Sequence, residues 1–474
     1  MDRAEDALHW RDASDLANDI RTRRLSSVEV VAMFLDRIEE LDRHYNAFLS
    51  VMARSEALAL AGQADAAVAR GDALGPLHGL PVAVKDLMDV RGLPTTHGTT
   101  VHGAIAEHDS LLAENLRAAG AIIIGKTNTP EHGLGTLTVN RLGPPTLNPW
   151  DPTRHAGGSS GGAGAALAAG MLPIADGSDS GGSIRYPASF CNLVGLRPTP
   201  GRVPTGRIGD AWSPHGVLGP MARNARDAGL LLAAMSGFDR RAPLSVGAPK
   251  EAYADIRPAE LRGLRVAWTA DFGGLPIDPE VQQVLAGFRE TLVALGAHVE
   301  DVAFEADRID ECWEIVEMLN FHASCGEDVA RFRDSLRTDL VRNVDQGSSL
   351  TAARINWAFT ERTNIFRRTA RLLERFDVLA GPATPVFAPP ADCDWVAEID
   401  GTTFDRYFLW QRCACRITMT AHPAISVPAG FSASGLPIGL QLVGRYRDEA
   451  GLLGYAAALE EVTGFVRRRP AGLD

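Results

Sequence analysis

Gly157–Ala188 reads GGSSGGAGAALAAGMLPIADGSDSGGSIRYPA. It holds two Gly-Gly-Ser units, ending at Ser159 and Ser183, twenty-four positions apart. Between them the residues spell a small-residue helix and then a short apolar strand. That path can return the second unit beside the first. A glycine pair before a serine opens positive φ to the backbone and removes side chains that would obstruct a substrate. Several consecutive N–H groups can then point into one cavity, a nest suited to a tetrahedral oxyanion. A flexible linker would lack apolar runs such as AALAAGMLPIA, so the segment is expected to be packed.

Outward from it, the chain alternates helix and strand. Ser26 and Glu29 have capping-box spacing, and Val30, Phe34, Ile38 and Leu41 recur at helical period over residues 26–41. An Ala-rich helix runs from about Ala53 to Arg70 and stops at Gly71. PVAVK (81–85) is a buried strand, 110–119 a helix and 121–124 a strand, a pattern that points to parallel pairing. Residues 264–302 repeat it, with Pro279 opening the helix. Residues 305–380 carry much of the remaining charge and read as a helical cap or side layer. AISVPAG and PIGLQLVG are core strands joined by a turn, and 449–462 is a closing helix. With no internal repeat and no clear linker, the simplest architecture is one large α/β domain over 1–474 with a helical elaboration.

Bulk properties exclude some classes. Of 474 residues 45% are apolar and 22% charged, as in ordinary globular enzymes. Lys plus Arg number 47 against 59 acidic residues, a net charge of −12. Such a chain has no bulk attraction to nucleic acid or anionic lipid. It lacks an 18-residue apolar stretch, and its charged N-terminus does not read as a signal peptide. The six cysteines form no CxxC pair and no zinc-like spacing with His. Cys413 and Cys415 would share a face if on a strand. A cytoplasmic protein with reduced thiols is expected, a monomer or homodimer without nucleic-acid or membrane partners.

The glycines do not form a phosphate loop. G-x-x-x-x-G-K-[ST] is absent, as is G-x-G-x-x-G after a strand. G-x-S-x-G is absent too, and no Ser-His-Asp triad can be assembled, since His155 and His215 lack identifying context. A serine without a histidine needs another base. Lys85, at the end of PVAVK, is the best candidate, because desolvation disfavours an ammonium.

GLPVAVKD (79–86), GKTN (125–128), NPWDPTRHAGGSSGG (148–162) and GSDSGGSIRYPASFCNLVGLRPTPGRVP (177–204) resemble the blocks of the amidase-signature family, as do HPAISVPAGF and GLPIGLQLVG. The resemblance spans roughly Leu25 to Val443. It implies a large mixed central β-sheet covered by helices on both faces. It implies Ser183 as nucleophile, Ser159 as proton relay after a cis Gly158–Ser159 bond, and neutral Lys85 as base, with no metal or cofactor. Backbone N–H groups of Ser180, Gly181, Gly182 and Ser183 would form the oxyanion hole. Ser160 is expected to support the site by hydrogen bonding, and Asp179 and Arg185 to pair and hold the loop. Asp86, Asn128, Cys191 and His422 are expected to be structural.

The activity implied is hydrolysis of small amides, with esters and carbamates (urethanes) as further substrates. One relative in the family hydrolyses glutamine and delivers ammonia for aminoacyl-tRNA amidation. An ungapped count back from AISVP places Gln411 where that relative has an acid for the glutamine ammonium, and a neutral amide is a poor partner for it. A non-catalytic scaffold of the same fold is disfavoured, since all three triad positions hold the needed residue types. The substrate walls are expected from 133–143, including Gly133, Leu134 and Gly135, from 208–213, including Ile208 and Trp212, and from 407–411, including Tyr407, Trp410 and Gln411. Apart from Arg141 and Asp210 these walls are uncharged, which suits a neutral aryl or alkyl substrate.

Overall fold

The computed structural model describes residues 7–206 and 210–473. Local chemistry sets the element ends. Ser26 and Glu29 form the capping box that opens the helix Ser27–Tyr45, whose Val30, Phe34, Ile38 and Leu41 are buried. The helix Arg54–Arg70 ends at Gly71 in the left-handed conformation. Asp278 caps the helix Pro279–Ala294.

Eleven strands position the site: β1 (Phe48–Val51), β2 (Pro81–Lys85), β3 (Ile122–Thr127), β4 (Ile174–Asp179), β5 (Val194–Arg197), β6 (Val217–Ala222), β7 (Arg265–Trp268), β8 (His298–Asp301), β9 (Val378–Pro382), β10 (Ala424–Phe431) and β11 (Pro437–Val443). Eight of them form a mixed sheet in the order β8-β7-β9-β11-β10-β5-β6-β4. β8, β7 and β9 pair in parallel, and the remaining pairings are antiparallel. Every residue of β4, β5, β6, β9 and β11 is buried, so helices and loops cover both faces. This is the mixed α/β architecture expected.

β2 and β3 are parallel, as their spacing predicts, but they belong with β1 to a separate three-stranded sheet. β2 runs beside the edge strand β4 without a backbone ladder. The Lys85 N–H donates instead to Asp176 Oδ1 at 3.0 Å. A side-chain carboxylate thus joins the two sheets at the point where Lys85 leaves β2.

Residues 305–380 are helical up to β9, forming Ile309–Phe332, Thr338–Ser348 and Ala352–Arg375. This layer is fastened to the body by Arg416 on Asp310 at 2.7 Å and by Arg362 on the Pro214 carbonyl at 3.1 Å. Cys413 and Cys415 lie on the helix Arg412–Met419, where residues two apart do not share a face. Both are buried free thiols. Among the described residues no helix is long and apolar enough to cross a membrane.

Candidate active site

The two Gly-Gly-Ser units meet. Ser159 and Ser160 precede the helix Gly161–Ala168, whose close packing needs its glycines: a methyl on Gly162 would lie 2.2 Å from the Asn128 nitrogen. The Gly158–Ser159 peptide is cis. The chain then returns along β4 and turns tightly into the helix Arg185–Phe190. Ser160 N–H donates to the Ser183 carbonyl at 3.1 Å, locking one unit to the other.

Lys85 enters this junction from β2 and is 1% exposed. Its Nζ lies 2.7 Å from Ser159 Oγ, 3.0 Å from Ser160 Oγ and 2.9 Å from Ser178 Oγ. Ser159 and Ser183 are buried as well. The expected lysine and serines are therefore together, and Ser160 touches the lysine directly. Ser178 and Asp176 were not among the residues expected here. Strand alternation is the signal that reveals them, since 176 and 178 share one face of β4, the face turned to β2. Burial pushes the Asp176 carboxyl up to about 6, against the Lys85 N–H bond and the Lys85 charge, which act to lower it. Its Oδ2 has no hydrogen-bond partner among the described residues.

Asp179 and Arg185 pair at the turn. Arg185 Nη2 and Nε lie 2.8 and 3.0 Å from the two Asp179 oxygens, and both side chains are fully buried. Arg185 also reaches Gln441, Thr418 and the Ala414 carbonyl. Arg197 donates to the Asp179 carbonyl. Burial alone would raise the Asp179 carboxyl, but Arg185, then Arg197 and the Ile184 N–H, outweigh it and hold the carboxyl well below the usual range.

One expected oxyanion donor is already engaged. The Gly182 N–H donates to Asp179 Oδ1 at 3.0 Å, because φ of +108° at Gly182 turns that amide inward. Ser180, Gly181 and Ser183 remain as the candidate donors. Against Gly181 pack Trp313, Gln411 and Cys415, while Trp313 Nε1 donates to the Ser180 carbonyl at 3.4 Å. Trp313 comes from the helical layer, far away in sequence, and no local pattern marked it.

The expected walls divide. Gly133 faces the centre: a methyl there would lie 3.4 Å from Ser159 Oγ. Leu134 is buried, and Gly135 packs against the Tyr407 ring. Tyr407 accepts at its OH from Asn343 of the helical layer at 2.7 Å. Gln411 Oε1 accepts from Thr136 Oγ1 at 2.9 Å, so this amide stands over the Gly181 turn. Two residues depart from expectation. Trp410 is packed in a secondary core against Tyr186, with ring centroids 5.1 Å apart, and backs the site rather than lining it. Trp212 is 70% exposed: its N–H is drawn to Asp210, and the ring turns to solvent. Ile208 lies outside the described residues.

The remaining residues expected to be structural behave so. Asp86 pairs with buried Lys126 at 2.9 Å, and Asn128 ties the Asn46 carbonyl to Thr146. Cys191 donates to the Ala156 carbonyl, and burial pushes its thiol up, the wrong direction for a nucleophile. His422 is bonded to the Thr420 carbonyl. His215 pairs with Glu317 at 2.8 Å, away from Lys85. Among the described residues, ligand atoms able to share a metal ion gather at His102, His132 and Asp328, outside the serine cluster.

The sequence profile of the family described as Amidase matches residues 29–453. The chain belongs to the amidase family. The amidase is 34% identical to an acylamidase of Rhodococcus erythropolis, over 98% of each chain. It is 35% identical to a glutamyl-tRNA(Gln) amidotransferase subunit of Thioalkalivibrio sulfidiphilus, over 98% of this chain and 100% of that one. The crystal structure of a bacterial aryl acylamidase of the amidase-signature family superposes with a TM-score of 0.89 at 28% identity, covering 98% and 99% of the two chains. The amidase is thus a hydrolase of amides, with the fold that the sequence blocks implied.

Proposed function

We propose that the amidase cleaves small neutral amides through an acyl-enzyme on Ser183. The observation that carries this reading is the buried Lys85 amine set among serine hydroxyls, 2.7 Å from Ser159 Oγ, in a junction whose other half bears Ser183. In the neutral form Lys85 takes the Ser159 proton as Ser159 takes that of Ser183, and Ser183 Oγ attacks the carbonyl carbon. The proton returns by the same route to the leaving nitrogen, and water then releases the acyl group. N–H groups of Ser180, Gly181 and Ser183 stabilise the oxyanion, each donor contributing about 10²–10³ in rate.

For the substrate, likeness to an acylamidase and an aryl acylamidase supports aryl amides. Trp313, Tyr407 and Leu134 around the Gly181 and Gly135 turns supply apolar surface consistent with that choice. Gln411 argues against glutamine, since a neutral amide already bonded to Thr136 offers no charge to an α-ammonium. The oxyanion donors contact only the carbonyl oxygen, so esters and N-aryl carbamates fit the same attack. Carbamates should react more slowly, because their second oxygen donates electron density to the carbonyl.

The test is a panel of acyl anilides, aryl esters, N-aryl carbamates and glutamine. Arylamine release from anilides, with slower turnover of carbamates, is expected. Efficient glutaminase activity with no anilide hydrolysis would overturn the substrate reading.

A further inference from the structure

Beside the serine cluster, three separate parts of the chain bring ligating side chains together. The loop 94–102 follows β2 and hangs from Asp86, whose Oδ2 accepts the Thr96 N–H at 2.9 Å. It carries His97 and His102. His132, adjoining Gly133, donates its N–H to the His97 carbonyl at 2.8 Å and adopts a left-handed φ of 49°. Asp328 comes from the helix Ile309–Phe332 of the helical layer. His102 Nε2 and His132 Nε2 converge on one oxygen, Asp328 Oδ2, at 2.8 and 3.4 Å. All three ligating atoms lie within 4.8 Å of one another. The His97 ring stacks on His132 at 5.6 Å and meets His102 edge-on at 5.3 Å, fixing both imidazoles.

An ion pair between helix and loop would explain His102 but not His132. The His132 side chain is only 9% exposed, and its Nε2 has no hydrogen-bond partner among the described residues. At 3.4 Å from Asp328 Oδ2 it makes no hydrogen bond there. A buried nitrogen left without a partner is destabilising unless something satisfies it. A divalent ion does. With metal–nitrogen and metal–oxygen distances near 2.0–2.2 Å, tetrahedral ligand atoms stand roughly 3.3 Å apart, and the two observed separations bracket that value.

We propose that His102 Nε2, His132 Nε2 and Asp328 Oδ2 form a three-ligand site for a borderline divalent d-block cation of the zinc class. Two imidazoles and one carboxylate suit such an ion better than calcium or magnesium, which prefer all-oxygen shells. His102, 31% exposed in its side chain, gives the ion a path from solvent and leaves the fourth position to water. The ion staples the helix Ile309–Phe332 to the two loops beside Lys85 and Ser159. It takes no part in the serine chemistry, so it modifies the metal-free expectation without replacing the mechanism.

The test uses the whole chain, stripped with a chelator and then exposed to zinc chloride. Three results are expected: one zinc retained per chain after gel filtration, an upward shift in unfolding temperature, and tetrahedral ligand-field bands when cobalt(II) replaces zinc. Both the retained ion and the shift should vanish in His132→Gln and Asp328→Asn. Zinc should also protect His102 and His132 of the wild-type chain from diethyl pyrocarbonate, as read by peptide mass mapping, which needs no variant to fold. Failure to retain zinc, retention undiminished in folded variants, or binding without protection of these two histidines would each overturn the site.

Discussion

The Gly157–Arg197 segment and the helical layer 309–375 are opposite kinds of structure around one site. In the first, almost every residue is buried, the polar groups are bonded to one another, to Lys85 and to neighbouring core elements, and glycines let backbones touch. In the second, polar faces meet solvent, and a few residues, Trp313, Asp328 and Asn343, reach inward to different loops. The contrast separates two tasks. Both Gly-Gly-Ser units sit in a segment where neighbours in sequence are neighbours in space, and Lys85 reaches them from β2. Loop position depends on contacts between elements far apart in the chain.

The comparison can be broken first at Lys85. Lys85→Arg keeps a cation but loses the titratable amine, since guanidinium does not deprotonate. A fall in kcat of about 10³-fold or more is expected, from the usual scale of general-base loss. Steady-state kinetics on an anilide check it, with circular dichroism to show that the fold persists. Substantial retained activity would move the base elsewhere.

Asp179→Asn is next in size. It leaves Arg185 and Arg197 buried without their carboxylate. Loss of one partner of such a cluster should cost about 3–5 kcal/mol of stability, read by chemical denaturation. Equal stability of variant and wild type would show that the pairing does not hold the turn.

Asp176 gives the pH dependence. Its folded pKa, about 6, is raised above its ordinary value of 3.8. The folded state therefore holds this proton more tightly than the unfolded one. The stability contribution is full below pH 4 and is lost as pH rises through 6, by about 3 kcal/mol, levelling off above that. Asp176→Asn stays neutral, so its stability relative to wild type should improve over that window. Denaturation midpoints at several pH values measure this, and a difference that does not vary with pH would place the ionised carboxylate in a solvated or paired setting.

The smallest effect belongs to the outer wall. Trp212→Ala, at an exposed ring, should alter stability by about 0.5 kcal/mol or less and leave anilide kcat/KM unchanged. A marked rise in KM would return Trp212 to the substrate wall.

Much of this was legible in the sequence because the informative features are local. The capping box at Ser26, the stop at Gly71, Pro279 and the GGS pair each act within a few residues, and the blocks carried the family. The roles of Ser178 and Asp176 were also accessible, through alternation along β4. Four things were not. The inward turn of the Gly182 amide depends on a φ angle, and the packing of Trp410 depends on Tyr186, which glycine spacing and residue type do not encode. The separation of β2 from the main sheet depends on one carboxylate replacing a ladder. Trp313 and Asp328 reach their loops only through packing of the helical layer, which periodicity does not register.

The central claim is that Ser183 carries the acyl group. It is tested most directly by quenching the enzyme during turnover of a slowly deacylating aryl ester, then mapping peptide masses. The account predicts one acyl adduct, on Ser183, absent from the Ser183→Ala variant, whose turnover falls by at least about 10⁴-fold. An adduct on Ser159, Ser160 or a cysteine, or turnover retained by Ser183→Ala, would contradict it.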